Sequence, residues 1–220
     1  MSTGNAAGKG ISVVTTTWNE KENIETLISR VRSTLQGVIH EIIVVDDSSS
    51  DGTLEVAQRF ADLAVSKVRE GQTKGLLYGA KLATYSVIVT IDADLENNPD
   101  LIPLLVEKLG VYDVVVASRT VLPRISERMA ARTLGKIFGV SDFYSNFRAY
   151  KREAIANFNL SGGETFGGEL LVLSKKHGFT IGEVTYEPPP RRSKPRIGGT
   201  IRANFRIIVA SLKCFFMYLF

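Results

Sequence analysis

The chain has 220 residues, of which 44% are hydrophobic and 23% charged, and its formal net charge is +4. These values are ordinary for a globular protein and exclude a disordered, collagen-like or disulfide-stapled chain. One cysteine excludes an internal disulfide, and with only two histidines it argues against a zinc site built from these residues. The first ten residues lack the apolar segment of a secretory signal, so we expect the reducing cytoplasm as the compartment.

Predicted strands and helices alternate through the first half of the chain. Apolar runs bounded by polar residues predict strands at 11–17, 41–46, 64–68, 87–91 and 113–117. Apolar residues at helical spacing predict helices at 19–35, 51–60, 74–84 and 99–109. This order predicts an α/β fold in which helices cover both faces of a mostly parallel sheet.

The second half of the chain is less regular. We predict a helix at 125–138, a strand edge followed by a helix within 147–158, a helix at 168–177 and a strand at 180–186. Three consecutive prolines from Pro188 then impose an extended segment. We divide the chain into a flexible N-terminus (1–10), one globular domain (11–196) and a C-terminal segment (197–220).

Four of the predicted strands end in polar residues. These strand ends are Thr17–Glu20, Asp46–Ser48, Asp92–Asp94 and Ser118–Arg119. Ligands of open α/β sheets bind beyond the carboxyl ends of the strands. The sequence therefore predicts that these four strand ends form a single site.

Three carboxylates, Asp92, Asp94 and Glu96, follow the buried strand at 87–91 at alternate positions. Carboxylates this close repel one another unless a cation lies between them. Oxygen ligands without histidine or cysteine favour Mg²⁺ or Mn²⁺, which commonly bridge a protein carboxylate and a substrate diphosphate. A helix cap would explain the asparagines that follow but not Asp92, so we predict a metal site.

A second pair of carboxylates, Asp46 and Asp47, ends the strand at 41–46 within the sequence VVDDSSSDGT. A carboxylate in this position can accept hydrogen bonds from a nucleobase N–H or from ribose hydroxyls. We expect one of the two to contact a nucleotide and the other to hold the loop. The sequence contains neither GxGxxG nor GxxxxGK[ST], so dinucleotide and P-loop sites lack support.

Positive charge is concentrated near the C-terminus. From Arg191 to Lys213 there are seven basic residues and no acidic one, whereas the rest of the chain has a small negative excess. Such a cluster attracts the phosphates of a lipid, a nucleic acid or a substrate. Because these residues lie among prolines, isoleucines and phenylalanines, we expect a membrane surface and a phosphorylated substrate rather than nucleic acid.

The last twenty residues, 201–220, combine basic residues at helical spacing with a largely apolar remainder. Arg202, Arg206 and Lys213 fall on one stripe of a helix. A basic stripe on an aliphatic and aromatic helix is typical of an amphipathic segment at a membrane interface. Two alternatives remain, which are a helix packed on the domain and the start of a membrane span.

Five segments in this order resemble the successive motifs of family 2 glycosyltransferases, which have the GT-A fold. The segments are VVTTTWNEKENI, IIVVDDSSSDGT, VIVTIDADLENNPDLI, VVVASR and DFYSNFRAYKREAI. The resemblance extends over about residues 11–196. It is strongest to the polyprenyl-phosphate glycosyltransferases, the group that includes dolichol-phosphate mannose synthase.

The resemblance implies a role for each motif residue. The implied catalytic residues are Asp92, Asp94, Arg119 and Asp142. The implied nucleotide-sugar-binding residues are Thr16, Trp18, Glu20, Val45, Asp46, Asp47 and Asp92, with the Trp18 ring against the base. The implied metal ligands are Asp92, Asp94 and Glu96. The implied contacts to an acceptor phosphate are Ser118, Arg119, Arg132, Arg148, Arg191, Lys194 and Arg196, although Arg148 could instead pair with Asp142.

The implied reaction is a metal-dependent, inverting transfer of a hexose from a nucleotide sugar to a polyprenyl or dolichyl phosphate at the cytoplasmic face of a membrane. Mannose from GDP-mannose is the first expectation, and glucose from UDP-glucose is the second. A phosphate acceptor is already a nucleophile, so basic residues would hold it and no general base is required. Two alternatives remain: transfer to a glycan hydroxyl with Asp142 as base, and a nucleotide-sugar-binding, membrane-docking module without catalysis.

Overall fold

The computed structural model describes residues 8–188 and 200–220. Within these residues seven strands form one sheet, in the order β3-β2-β1-β4-β6-β5-β7. The strands are β1 (Gly8–Thr17), β2 (His40–Asp46), β3 (Leu63–Ser66), β4 (Tyr85–Thr90), β5 (Val114–Arg119), β6 (Arg148–Lys151) and β7 (Ile181–Tyr186). Strand β6 lies antiparallel between β4 and β5, and the other pairings are parallel.

Helices cover both faces of the sheet. They are α1 (Lys21–Thr34), α2 (Thr53–Phe60), α3 (Gln72–Leu82), α4 (Ile102–Lys108), α5 (Ile125–Ala130), α6 (Lys136–Phe138), α7 (Gly168–Lys176) and α8 (Thr200–Leu219). A π-helical turn at Ala131–Gly135 joins α5 to α6, so the three together form the helix predicted at 125–138. The predicted fold class, a mostly parallel sheet flanked by helices, is confirmed.

The two faces of the sheet carry separate hydrophobic cores, and strand β2 shows how the sequence builds both. Successive residues of a strand point to opposite faces. Ile42 and Val44 pack with the apolar face of α1, whereas Ile43 and Val45 pack on the side of α3 and α7. All four side chains are fully buried, which explains why β2 appears in the sequence as a continuous apolar run.

The segment 147–158 differs from its prediction. The predicted strand is present as β6, but the predicted helix after it is only a 3₁₀ turn at Arg152–Ala154. Ala154, Ile155 and Phe158 all pack into the core beside α7. Burial of neighbouring positions suits an irregular turn better than an amphipathic helix, which buries one face.

Helix α8 packs on the domain along one face. Ala203, Ile207, Ala210 and Cys214 recur at helical spacing and are buried. The Asn204 side chain accepts hydrogen bonds from the backbone N–H and hydroxyl of Ser126 at 3.1 and 2.7 Å, which ties α8 to α5. The opposite face of α8 is exposed and apolar. Among residues 8–188 and 200–220, no helix has both the length and the apolar character needed to cross a bilayer.

Candidate active site

The polar ends of β1, β2 and β4 lie together at one edge of the sheet. The parallel register pairs Thr17 with Asp46 and brings the end of β4 beside β1. Each strand leads into a turn containing a non-glycine residue with positive φ, namely Asn19, Ser48 and Leu95. Such conformations are costly and cluster at binding sites, where the surrounding structure holds them. The fold therefore brings together three of the four predicted strand ends; the fourth, which ends at Arg119, is described below.

Both carboxylates at the end of β2 hold loops. Asp46 accepts hydrogen bonds from the Thr17 hydroxyl at 3.0 Å and from the backbone N–H of Ser49 at 2.8 Å. Asp47 accepts from the backbone N–H groups of Glu70 and Gly71, both at 3.0 Å. Asp47 also pairs with Lys67. We expected one of the two to hold the loop, and both do; contact with a nucleotide stays a prediction for either.

Trp18 and Glu20 begin the turn after β1. The Trp18 ring is 37% exposed, and the guanidinium carbon of Arg69 lies 3.4 Å from the ring centroid. The Glu20 carboxylate is buried and accepts a hydrogen bond from the Asn23 amide at 2.8 Å. Sequence reasoning missed Arg69, although an arginine in the loop between β3 and α3 of a parallel sheet faces the same edge.

Two predicted nucleotide-binding residues have side chains that lie against α3. The Val45 side chain is fully buried in the core, so only its backbone could contact a nucleotide, and its binding role stays a prediction. Thr16 lies against α3 at Gly75, where an added Cβ would come within 2.6 Å of the Thr16 methyl group. Both side chains face the side of the sheet that α3 covers, because successive residues of a strand point to opposite faces.

Asp92 is the centre of a polar network just beyond β4. It accepts hydrogen bonds from the side-chain amides of Gln72 and Asn97, and the Tyr186 hydroxyl donates to Asn97 at 2.6 Å. Burial and the neighbouring Asp94 carboxylate raise the pKa of Asp92 to about 7, against the opposing effects of its hydrogen bonds and of Arg119. Negative charge is therefore crowded at this strand end, as the sequence predicted.

The three predicted metal ligands do not form a complete ligand set on their own. Asp94 accepts a hydrogen bond from the backbone N–H of Glu96 at 3.0 Å, within the turn after β4. In the part of the chain that the structure describes, no three histidine, cysteine or carboxylate side chains are placed to hold a metal together. The donors present are carboxylate oxygens, which fit a Mg²⁺ or Mn²⁺ ion that completes its coordination with water and substrate phosphate.

Arg119, at the end of β5, pairs with Asp142. The Arg119 Nε donates to an Asp142 carboxylate oxygen at 2.6 Å, and a second guanidinium nitrogen lies 3.9 Å from Glu127. Burial lowers the pKa of Arg119, but Asp142 and Glu127 outweigh it, so the pKa is raised above its usual value. The other Asp142 oxygen is buried with no hydrogen-bond partner among the described residues.

Ser118 and Arg148 have structural contacts. The Ser118 hydroxyl is buried and accepts a hydrogen bond from the Asp142 backbone N–H at 3.2 Å, which positions the loop that carries Asp142. Arg148 is fully buried and donates to the carbonyl oxygens of Gly167 and Phe143 at 2.8 and 3.0 Å. Neither the predicted phosphate contact of Arg148 nor its alternative pairing with Asp142 agrees with this placement, because the guanidinium is enclosed by the core.

The remaining residues predicted for an acceptor phosphate divide into two groups. Arg132 is exposed on the π-helical turn between α5 and α6. The other three, Arg191, Lys194 and Arg196, lie outside the described residues.

Two curated proteins resemble this chain over most of its length. A dolichol-phosphate mannosyltransferase of Pyrococcus furiosus is 36% identical over 171 residues, covering 69% of this chain and 49% of that protein. An undecaprenyl-phosphate 4-deoxy-4-formamido-L-arabinose transferase of Aeromonas hydrophila is 32% identical over 164 residues, covering 67% of this chain and 50% of that protein. The chain thus spans about half the length of the curated relatives it matches.

Solved structures with the same fold include glucosyl-3-phosphoglycerate synthase from Mycobacterium tuberculosis. Its complex with Mn²⁺, UDP and phosphoglyceric acid has a TM-score of 0.76 and 23% identity, covering 94% of this chain and 79% of that chain. Its complex with Mg²⁺ and UDP has a TM-score of 0.75 at 23% identity, covering 94% and 80%. A family model described as glycosyl transferase family 2 matches residues 12–164. The strand-end site described above lies within this match, and the chain belongs to glycosyl transferase family 2.

Proposed function

We propose that this chain transfers a hexose from a nucleotide sugar to a polyprenyl or dolichyl phosphate. The names of both curated relatives support an acceptor of this class. The Pyrococcus furiosus relative favours mannose as the sugar, with GDP-mannose as the donor. Glucose from UDP-glucose is the second choice, supported by a fold neighbour that was crystallised with Mn²⁺ and UDP-glucose.

The observation that carries the proposal is the ion pair between Arg119 and Asp142. A hydroxyl acceptor needs a general base, and Asp142 was the candidate for that role. In the structure this carboxylate is buried and one of its oxygens accepts from the Arg119 guanidinium at 2.6 Å, so it is held in an ion pair and not presented to an acceptor hydroxyl. Arg119 is also close enough to Asp92 to lower the pKa of that carboxyl. A cation next to the carboxylates that would bind the nucleotide sugar suits an acceptor that is negatively charged before it reacts.

The proposed metal ligands are Asp94 and Asp92, with Glu96 as a further candidate. The oxygen-only donor set fits Mg²⁺ or Mn²⁺, and two carboxylates are enough for an ion that also binds substrate phosphates. When bound, such an ion would neutralise charge on the diphosphate leaving group. The Mn²⁺ and Mg²⁺ complexes of the fold neighbours support a divalent cation in this site.

The proposed reaction needs no proton transfer from the protein. An oxygen of the acceptor phosphate forms a bond to the anomeric carbon, while the bond from that carbon to the donor diphosphate breaks on the opposite side. The sugar configuration is inverted, and the electron pair leaves with the nucleoside diphosphate. The protein's task is to hold the acceptor phosphate and the donor diphosphate on opposite sides of the anomeric carbon. We assign this task on the acceptor side to Arg119, assisted by Arg132, Arg191, Lys194 and Arg196.

We further propose that α8 brings the enzyme to the cytoplasmic face of a membrane. The outer face of α8 exposes Phe205, Leu212 and Phe216 at 66, 53 and 55%. A basic row runs along one border of this apolar face and consists of Arg202, Arg206 and Lys213. An apolar face bordered by basic residues binds an anionic lipid surface, where the isoprenoid chain of the acceptor would lie.

The decisive experiment is a donor and acceptor panel. The protein is incubated with GDP-mannose or UDP-glucose and with one acceptor at a time, in the presence and absence of Mn²⁺. The acceptors are a polyprenyl phosphate, the matched polyprenol and a glycan. We expect product from the phosphate alone, and only with metal. Product from the polyprenol or the glycan would favour transfer to a hydroxyl. Donor binding without product from any acceptor would favour the non-catalytic docking module.

A further inference from the structure

Tyr186 is the last residue of β7, and its side chain reaches the turn after β4. The parallel register pairs Tyr186 with Arg119, and the Tyr186 carbonyl oxygen accepts a hydrogen bond from the backbone N–H of Thr120 at 2.9 Å. The ring packs edge-on against Phe147, the residue before β6, with 6.5 Å between the ring centroids. The hydroxyl donates to the Asn97 amide oxygen at 2.6 Å. The side chain therefore joins two strand ends that β5 and β6 separate in the sheet.

The orientation of the Asn97 amide follows from its two neighbours. An ionised Asp92 carboxylate can only accept, so the Asn97 NH₂ group faces it and donates at 3.3 Å. The Asn97 oxygen then faces the Tyr186 hydroxyl. Asn97 and Tyr186 are both buried, so these two polar groups depend on each other for their hydrogen bond. Burial raises the pKa of Tyr186, against the opposing effect of Arg119, so the hydroxyl keeps the proton that it donates.

The Asp92 carboxylate is held at both of its oxygens. Gln72, at the start of α3, donates to one oxygen, and Asn97 donates to the other. The two amides reach Asp92 from different elements, so together they fix the plane of the carboxylate. Groups that orient a metal-binding side chain in this way commonly set the affinity of the site as strongly as the ligand itself.

We propose that Tyr186 is a positioning residue for Asp92, because its hydroxyl holds the Asn97 amide in the orientation that donates to this carboxylate. The inference rests on the proposed function, in which Asp92 binds the donor together with a divalent cation. Without the hydroxyl, the Asn97 oxygen loses this donor and the amide is free to turn over. Its oxygen would then face the Asp92 oxygen, and since both only accept, the carboxylate would be pushed out of position.

The same side chain relates the two halves of the proposed site. Its backbone is fixed beside Arg119 by the register of β5 and β7, whereas its hydroxyl acts on the partner of Asp92. Tyr186 therefore sets the orientation of a donor carboxylate from the side of the sheet on which the acceptor phosphate is proposed to bind.

The test compares Tyr186→Phe with the wild type in the calorimetric binding of UDP and GDP, with and without Mn²⁺. The variant keeps the ring that packs against Phe147 and removes only the hydroxyl. The factor by which Mn²⁺ lowers the nucleotide Kd should fall about tenfold, the lower end of the loss typical for a supporting partner of a metal ligand. The nucleotide Kd without Mn²⁺ should change less than twofold. In turnover, kcat should fall while the acceptor KM stays unchanged.

Two further variants separate positioning from a general loss of packing. Tyr150→Phe removes a buried tyrosine hydroxyl from β6 that accepts from Arg148 at 3.2 Å, and it should leave the Mn²⁺ effect within twofold of the wild type. Asn97→Ala should reduce the Mn²⁺ effect at least as much as Tyr186→Phe. Adding Tyr186→Phe to Asn97→Ala should cause no further loss, because the hydroxyl acts through the amide. A thermal melt shows whether each variant is folded.

Three results would overturn the inference while leaving the proposed function intact. These are a wild-type Mn²⁺ effect in folded Tyr186→Phe, an equal loss in Tyr150→Phe, and losses that multiply in the double variant. Should Tyr186→Phe not fold, Asn97→Ala takes its place: a reduced Mn²⁺ effect supports the inference, and a wild-type one overturns it. If Mn²⁺ does not strengthen nucleotide binding by the wild type, the proposed function fails and the inference fails with it.

Discussion

The strand ends of β1, β2 and β4 and the region from β5 onward hold their charged groups in different ways. At the ends of β2 and β4, Asp46, Asp47 and Asp92 each accept at least two hydrogen bonds from neighbouring residues. From β5 onward, Arg119 is in an ion pair, Arg132 is exposed and Arg148 is buried in the core. A motif thus fixes where a residue lies along the chain, but the direction of its side chain depends on the packing around it.

The variant Asp94→Ala is the strongest test of the site at the ends of β1, β2 and β4. This variant removes a proposed metal ligand from the turn after β4, so we expect kcat to fall about 10³-fold or more. The fold should remain intact by circular dichroism, because Asp94 lies outside the hydrophobic cores. Near-normal turnover that still depends on Mn²⁺ would show that the ion is held elsewhere.

The variant Arg119→Ala is the matching test for the region from β5 onward, where the acceptor phosphate is proposed to bind. We expect kcat with a polyprenyl phosphate to fall about 100-fold, as for loss of one charge-stabilising donor. Stability should also fall by about 3–5 kcal/mol, because the variant leaves the buried Asp142 carboxylate without its partner. Arg119→Lys keeps the charge and serves as the control if Arg119→Ala does not fold. Unchanged acceptor kinetics in folded Arg119→Lys and Arg119→Ala would remove Arg119 from the site.

The variant Arg148→Met tests whether Arg148 stabilises the fold or binds the substrate. The variant leaves the carbonyls of Gly167 and Phe143 without their donor in the core, which should lower the free energy of unfolding by about 2–4 kcal/mol in urea titrations. The acceptor KM of the protein that remains folded should change less than twofold. A large rise in acceptor KM at unchanged stability would restore Arg148 to the acceptor site.

The outer face of α8 is tested by the double variant Leu212→Ser and Phe216→Ser. Both side chains are exposed, so stability should change little, whereas affinity for anionic vesicles should fall about tenfold. Phe60→Ser, which alters a 37% exposed phenylalanine on α2, is the matched control and should leave vesicle binding unchanged. Equal losses in both proteins, measured by co-sedimentation, would assign the effect to general surface hydrophobicity.

The smallest effect lies away from both regions, at Asp113. Hydrogen bonds from Lys151 and Thr180 lower the pKa of this carboxyl to about 2. A lowered pKa means that the ionised group stabilises the fold above its unfolded pKa near 4, and that this stability is lost as the pH falls from about 4 to 2. Asp113→Asn should lose about 1 kcal/mol of stability at pH 7, discounted for partial exposure, and this loss should shrink as the pH falls from about 4 through 2. Glycosyl transfer should be unaffected.

The sequence predicted the positions of these strand ends well because its signals are local. A buried apolar strand followed by acidic residues specifies both the strand and the edge at which its end lies, as for Asp46 and Asp92. The contacts of Arg69, Val45 and Arg148 depend on which residues from distant elements pack beside them. The Trp18–Arg69 stack joins the loops after β1 and β3, and no spacing in the sequence indicates that these two side chains meet.

Helix α8 is a second case in which the sequence predicted the element but not its packing. Its basic stripe and apolar body predicted an interfacial helix, with packing on the domain as the alternative. The structure shows the packed face, formed by small and medium side chains such as Ala203 and Ala210. The outward face keeps the larger apolar residues. Periodicity indicates that a helix has several distinct faces, but not which of them the domain covers.

The reversed strand β6 sets the width of the site. Neighbouring strands lie about 4.8 Å apart, so placing β6 between β4 and β5 separates their ends by about 10 Å. Asp92 stands beyond one of these ends and Arg119 at the other, with the start of β6 between them. In the proposed reaction this separation would keep the departing diphosphate and the incoming phosphate on different sides of the sugar. Strand β6 would then help to keep the two anions, which repel each other, on opposite sides of the anomeric carbon.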